Sequence, residues 1–304
     1  GNVCIRNPRP RRLTNRIDKD KDIMNPLAVH LADGGAFFFG AVLMIMGLVG
    51  SILRRERFRI ITRVTAAGGF LLVISSATPI PFWFYATWSF LLVIWLVSDE
   101  TRRPFGFPIK TIACGLLLTS VLVGVVSEIP HHLAPPVKKT GLHILYVIGD
   151  SISAGIGSKD STWPEILHKN HQFRVINLSQ PGATIQSSLA RLKNLTEDRA
   201  LVLLEIGGND LLGSTSASDF EKDLDDLLAR VCRPGFVVVM FELPLPPFHN
   251  RYGGIQRSLA QKHGVTLIPK RFFGRVLAGR NCTLDGLHLS EKGHQAMAEV
   301  VMEI

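Results

Sequence analysis

The chain has 304 residues, 46% of them apolar; its mean hydropathy is positive at +0.23 and its formal net charge is +9. Residues 141–304 contain 17 Lys or Arg and 17 Asp or Glu, whereas residues 1–140 contain 17 basic and 8 acidic residues, so the surplus belongs to the first half. A basic excess beside apolar segments is typical of membrane topology, and this distribution argues against nucleic acid as a partner.

Apolar stretches in the first half predict membrane-spanning helices. No charged residue occurs in 36–53, 64–98 or 111–127, and the turn TPIP at 78–81 divides the second stretch. A bilayer core requires about 20 apolar helical residues. We therefore expect an all-α membrane domain over 36–127, followed by a Pro-rich linker at 128–140. The expected spans are about 36–53, 60–78, 82–98 and 110–127.

The basic residues of the short loops predict the topology. Residues 54–63 contain five Arg and residues 99–110 contain three basic residues, whereas the TPIP turn has none. Both loops are therefore expected in the cytoplasm and both chain ends outside it. A basic N-terminal tail, 1–35, opposes this, because residues 1–23 hold seven Lys or Arg. Our hypothesis is that 1–23 are not native and that Met24 is the start; if they are native, the charge rule leaves the topology undecided.

From residue 141 onward, short apolar runs alternate with amphipathic stretches. Capping-box patterns at Thr162 to Glu165 and at Ser218 to Glu221 predict two helix starts. Strands that alternate with helices predict a parallel sheet covered on both faces, in which functional side chains collect at the carboxyl ends of the strands. The predicted strands are 142–148, 174–178, 201–206, 236–241 and 265–268.

Polar motifs follow the predicted strands at that edge. Ser151 follows the first strand, Asn209 follows the third, and Asp285 precedes His288 by three residues, just before the last helix. A serine hydroxyl becomes an effective nucleophile when a base takes its proton and a third group orients that base. The pattern therefore predicts serine chemistry. The order Ser, Asp, His also suits an α/β-hydrolase, although no GxSxG surrounds Ser151.

These motifs resemble those of the SGNH (GDSL) hydrolase family, in particular its bacterial thioesterase I/lysophospholipase/arylesterase branch. The resemblance covers about residues 140–304. It implies a flavodoxin-like α/β/α sandwich with strand order 2-1-3-4-5, and neither a metal nor an organic cofactor. The matching segments are 149-GDSISAG-155, 177-NLSQPGATI-185, 205-EIGGND-210 and 285-DGLH-288.

The resemblance also implies a role for each matching residue. Ser151 is expected to be the nucleophile, His288 the general base and Asp285 the group that orients His288. The oxyanion hole is expected to comprise the backbone N–H groups of Ser151 and Gly182 and the side-chain amide of Asn209. An Asn amide suits this role because it is a neutral donor.

We therefore expect a membrane-anchored serine esterase whose hydrolase domain, 141–304, lies outside the cytoplasmic membrane. The expected substrates are lipid-derived or small carboxylic or thio esters, and the expected partners are that substrate and the lipid bilayer. One alternative is removal or transfer of O-acetyl groups on envelope polysaccharide, which acyl chain length would distinguish. Another is a catalytically silent binding module, against which the intact motif set argues. The sequence does not predict the oligomeric state.

Overall fold

The computed structural model describes residues 26–53, 58–98, 109–135, 141–156, 161–170 and 174–304. The first half contains α1 (Pro26–Ala32), α2 (Gly35–Leu53), α3 (Arg59–Ser75), α4 (Phe82–Val97) and α5 (Ile109–Glu128), which a 3₁₀ turn, Ile129–His131, extends. The strands are β1 (Ile144–Gly149), β2 (Arg174–Asn177), β3 (Ala200–Glu205), β4 (Phe236–Phe241) and β5 (Thr266–Ile268). The remaining helices are α6 (Ser151–Ala154), α7 (Trp163–Asn170), α8 (Ile185–Leu189), α9 (Gly208–Leu212), α10 (Ala217–Val231), α11 (Asn250–His263), α12 (Lys270–Leu277) and α13 (Glu291–Glu303).

Helices cover all four apolar stretches of the first half. By length and composition, Gly35–Leu53 and Ile109–His131 are long and apolar enough to cross a membrane, and Phe82–Val97 is apolar but shorter. The segments that decide the topology prediction, 1–25, 54–57 and 99–108, lie outside the described residues.

Helices α2 and α3 approach each other closely at two glycines. A Cβ at Gly40 would lie 2.5 Å from the carbonyl oxygen of Gly69, and a Cβ at Gly69 would lie 2.5 Å from that of Gly40. Small residues at a crossing let two helix backbones approach, which is typical of helix pairs in membranes. Buried aromatic side chains, including Phe37 and Trp88, fill the centre of this helical region.

The second half folds around one parallel sheet with strand order β2-β1-β3-β4-β5, which confirms the predicted α/β class and order. Strands β1 and β3 lie inside the sheet and are almost fully buried, which explains why both are continuous apolar runs. Apolar clusters cover both faces. One includes Phe220 of α10 and Leu259 of α11, and the other includes Trp163 of α7 and Phe273 of α12.

One of the two predicted helix starts is correct in position. The carboxylate of Glu165 accepts the backbone N–H of Thr162 at 3.0 Å, where α7 begins. The prediction of a capping box at Ser218 to Glu221 is wrong, because Ser216 caps α10 instead. Its hydroxyl oxygen accepts the N–H of Asp219 at 3.2 Å, so the helix starts two residues earlier than predicted.

A buried set of four charged side chains joins the helical region to the α/β domain. We call it the junction cluster: Glu128 of α5, Glu242 just after β4, Arg257 of α11 and Lys270 of α12. Arg257 donates two hydrogen bonds to Glu128, at 2.6 and 2.8 Å, and one to Glu242 at 2.7 Å. The ammonium group of Lys270 donates to the carbonyl oxygen of Ala77. Two cations and two carboxylates balance each other, which is what buried charges require.

Candidate active site

The turn after β1 presents Ser151 at the start of a short helix. The carboxylate of Asp150 caps α6 by accepting the N–H of Ile152 at 3.0 Å. Ser151 is therefore the first helical residue, and its backbone N–H has no acceptor within the helix. A Cβ at Gly149 would lie 2.5 Å from the hydroxyl oxygen of Ser153, so only glycine fits where the strand turns into the helix.

Asp285 and His288 form a pair within one tight loop. Asp285 Oδ2 lies 2.6 Å from His288 Nδ1, and its Oδ1 accepts the backbone N–H groups of His288 and Leu287 at 2.8 and 3.0 Å. Burial opposes the charged form of Asp285, but these hydrogen bonds lower its pKa to about 2. An ionised Asp285 holds the His288 proton on Nδ1 and leaves Nε2 as the basic nitrogen.

Asn209 is the second residue of α9, which begins just after β3. Its Nδ2 donates to the Ala183 carbonyl oxygen at 3.0 Å and to Asp150 Oδ2 at 3.3 Å, so both of its N–H groups have acceptors. The next residue, Asp210, accepts the N–H of Ile185 at 3.0 Å. This bond ties α9, which holds Asn209, to the start of α8.

Gly182 lies in the loop between β2 and α8. Its φ is +72°, a backbone conformation that L side chains rarely adopt, and no heavy atom lies within 4 Å of a Cβ built there. A side chain at this position would therefore project into open space rather than into packed protein.

Two acidic groups beneath Ser151 have raised pKa values. Burial raises the pKa of Asp150 to about 6, and nearby Asp210 adds to the increase, whereas the N–H of Ile152 and the charge of His288 reduce it. Burial and the neighbouring Asp150 carboxylate raise the pKa of Glu205 well above its ordinary value, and Glu205 accepts the Ser153 hydroxyl at 2.7 Å. A protonated Glu205 is a neutral support under the turn.

The structure brings Ser151, Asn209 and Leu287, the residue before His288, into the lining of one cavity. His288 is close enough to Asp150 for its charge to act on that carboxyl group. Within the described residues, no hydrogen bond joins the Ser151 hydroxyl to His288. Such contacts are often long in substrate-free enzymes and shorten when the substrate is bound.

The cavity also contains residues that the sequence did not identify. Its volume is about 370 Å³, within the range of small-ligand sites. The Pro-rich loop after β4 contributes residues 243–247 to the cavity lining. Helix α1 contributes Ala28, Leu31 and Ala32. No local feature of the sequence indicates that this short apolar helix contacts the site.

Comparisons with known proteins identify the same half of the chain. The model of the GDSL-like lipase/acylhydrolase family matches residues 147–296. The esterase TesA of Pseudomonas aeruginosa is 31% identical over 166 residues, which are 50% of this chain and 82% of that protein. Thioesterase 1/protease 1/lysophospholipase L1 of Escherichia coli is 33% identical over 51% of this chain and 79% of its own length. The arylesterase of Vibrio mimicus is 31% identical over 52% of this chain and 86% of its length.

A solved structure of TesA overlaps 53% of this chain and 96% of its own, with 30% sequence identity and a TM-score of 0.47. Helices α1 to α5 precede the matched segment. This chain matches about four fifths of the length of these relatives at more than 30% identity. The family resemblance inferred from the motifs is therefore confirmed. The chain belongs to the GDSL-like lipase/acylhydrolase family and is a serine hydrolase of the SGNH type.

Proposed function

We propose that this protein hydrolyses carboxylic or thio esters with Ser151 as nucleophile, His288 as general base and Asp285 as the residue that orients the base. The observation that carries the proposal is the 2.6 Å contact between Asp285 and His288 Nδ1 on the rim where Ser151 lines the cavity. The relatives named above, an esterase, a thioesterase/lysophospholipase and an arylesterase, support this reaction class.

Acylation begins when Ser151 Oγ bonds to the carbonyl carbon and its proton passes to His288 Nε2. The carbonyl electron pair moves to oxygen and gives an oxyanion. When the carbonyl re-forms, the bond to the alcohol or thiol breaks, and the leaving group takes the proton from His288. Water then gives a proton to His288 and its hydroxyl to the acyl carbon. Collapse releases the acid, and Ser151 regains its proton.

The oxyanion would be held by the backbone N–H groups of Ser151 and Gly182 and by the amide of Asn209. In the substrate-free structure Asn209 Nδ2 makes its longer bond, 3.3 Å, to Asp150. An oxyanion can replace that weaker acceptor while the 3.0 Å bond to Ala183 keeps the amide in place. Because the oxyanion exists only during the reaction, its hydrogen bond with Asn209 favours the transition state over the ground state.

The helical region supports a second part of the proposal, which is membrane anchoring. We assign α2, α3, α4 and α5 as four spans, 128–140 as a connecting segment and 141–304 as the hydrolase domain outside the cytoplasmic membrane. The expectation of a tail over 1–35 does not hold for Pro26–Ala32, because these residues form α1, which packs against the hydrolase domain. Helices Gly35–Leu53 and Ile109–His131 have the length and composition of spans, and the exposed surface of the four helices is rich in large apolar side chains. A tethered domain meets membrane amphiphiles at a raised local concentration.

The apolar cavity favours lipid-derived acyl esters over acetylated polysaccharide. Besides Ser151 and Asn209, its lining consists mainly of Leu, Pro, Ala and Phe side chains, including Leu211, Leu243 and Phe273. A sugar hydroxyl buried against such a surface would lose hydrogen bonds to water without replacement, whereas an acyl chain would gain free energy.

The experiment that tests this function is ester hydrolysis by the full-length chain in detergent micelles, with p-nitrophenyl butyrate as substrate. Ser151→Ala should reduce kcat by about 10⁴-fold or more, because members of a catalytic triad act as a unit. Ser161→Ala is the matched control, since its hydroxyl only accepts a surface hydrogen bond from Lys169. Equal activity of Ser151→Ala and the wild type would overturn the proposal.

A further inference from the structure

One wall of the cavity above Ser151 comes from outside the family-matched segment. Ala28, Leu31 and Ala32 of α1 line the same cavity of about 370 Å³ as Ser151 and Asn209. The matched segment starts at residue 147, so these three positions belong to the helical region and not to the α/β domain.

Backbone hydrogen bonds and close packing fix α1 against its surroundings. The N–H of Leu245 donates to the Ala32 carbonyl oxygen at 3.4 Å, and the N–H of Ala77 donates to the Leu31 carbonyl oxygen at 2.9 Å. On the other side, a Cβ at Gly274 of α12 would lie 3.1 Å from the Cβ of Asp33, so the chain at the end of α1 sits directly on α12. These contacts join α1 to the segment after α3, to the loop after β4 and to α12.

The position of α1 places the cavity at the end of a long apolar helix. Ala32 lies three residues before Gly35, where α2 begins, and α2 is long and apolar enough to cross a membrane. Two leucines of the cavity lining are also exposed, Leu212 by 65% and Leu287 by 39%. The cavity thus continues from Ser151 to an exposed apolar rim.

We propose that α1 forms one side of an acyl-chain channel and limits the length of the acyl group, so that the substrates are esters of medium- or long-chain fatty acids. This inference rests on the proposed function. The acyl chain would run from the carbonyl carbon at Ser151 between the apolar side chains of Leu31 and Leu211. Each methylene removed from water should raise kcat/KM about 4-fold until the channel is filled.

The test compares p-nitrophenyl acetate with p-nitrophenyl octanoate, hydrolysed by the full-length chain in detergent micelles. Ala28→Trp puts a bulky ring into the channel. It should lower the octanoate-to-acetate ratio of kcat/KM at least about 10-fold. Ala28 is exposed, so the larger side chain does not have to enter a packed core. Leu27→Trp is the matched control, because Leu27 is its neighbour on α1, is 58% exposed and lies outside the cavity lining.

Leu31→Ala provides the opposite change, since it lengthens or widens the channel. It should move the preferred acyl group to a longer chain, as measured with decanoate and dodecanoate esters. Octanoate-to-acetate ratios that stay at the wild-type value in both Ala28→Trp and Leu31→Ala would overturn the inference while leaving the proposed function intact. Full hydrolysis by Ser151→Ala would instead overturn the proposed function.

Discussion

Two buried glutamates, one at the active-site rim and one in the junction cluster, have pKa values shifted in opposite directions. Glu205 ends β3 and Glu242 directly follows β4, and each is 1% exposed. Burial and the Asp150 carboxylate raise the pKa of Glu205 well above its ordinary value. Burial acts in the same direction on Glu242, but the neighbouring Lys270 and Arg257 lower its pKa. The charges nearby, and not the burial, decide which form of a buried carboxyl is stable.

The active-site rim and the junction cluster therefore have different roles. At the rim, burial and the neighbouring Asp150 carboxylate raise the pKa of Glu205, so this environment favours the neutral form of the side chain beneath Ser151. In the junction cluster Arg257 pairs with both carboxylates and Lys270 hydrogen-bonds to the Ala77 carbonyl oxygen, and these contacts join the helical region to the α/β domain. Since α1 supplies one wall of the cavity, the junction cluster also holds that wall in register with Ser151.

The largest expected effect comes from breaking the junction cluster. Arg257→Met leaves Glu128 and Glu242 buried without their main partner, which should lower the free energy of unfolding by about 3–5 kcal/mol. Thermal denaturation of the full-length chain in micelles measures this. Arg230→Met is the matched control: its ion pair with Asp226 is exposed, and we expect no measurable change. Equal melting temperatures for the two variants would show that the junction cluster does not stabilise the fold.

Removing a single donor at the rim should have the next largest effect. Asn209→Ala should reduce kcat by about 10²–10³-fold with little change in KM, because the amide acts on charge that develops in the transition state. Asn194→Ala, at an exposed position outside the rim, should retain wild-type kinetics. A wild-type kcat in Asn209→Ala would exclude that amide from the oxyanion hole.

The smallest expected effect concerns Asp150 at the rim, whose pKa is raised, whereas the pKa of Glu242 in the junction cluster is lowered. The pKa of Asp150 is raised in the folded protein, so its contribution to stability is present at low pH and is lost as the pH rises through about 6. Asp150→Asn should therefore stabilise the protein at pH 8, by at most about 3 kcal/mol, and this gain should disappear below about pH 4.

Melting temperatures across this pH range measure the effect of Asp150→Asn. The matched control is Asp226→Asn, which removes an exposed carboxylate that pairs with Arg230 and should give no gain at pH 8. A loss of stability in Asp150→Asn at pH 8 would show that the rim needs the charged form of this carboxyl group.

The α/β domain could be predicted closely because its signals are local. Continuous apolar runs mark the buried strands. The motifs of Ser151 and Asn209 directly follow β1 and β3, and the motif of His288 lies just before α13. The start of α10 was missed by two residues because Ser216 and Ser218 both have the spacing of a cap, and only the packing of the helix decides between them.

The contribution of the helical region could not be predicted, since it depends on contacts between distant segments. The bond between Ala32 and Leu245 and the ion pair between Glu128 and Arg257 join residues more than a hundred positions apart. Glu128 offered a signal, as an acidic residue at the end of an apolar stretch, but nothing local identifies Arg257 as its partner. Composition predicts that the helices form and leaves open what they pack against.

The most direct test of the central claim is to trap the nucleophile. The full-length chain is treated with a p-nitrophenyl alkylphosphonate, which transfers its phosphonyl group to an activated serine and releases p-nitrophenol, and the modified peptide is identified by mass spectrometry. The account predicts one adduct per chain, on Ser151, formed in parallel with the loss of esterase activity and absent in His288→Ala. Complete loss of activity with Ser151 unmodified would contradict it.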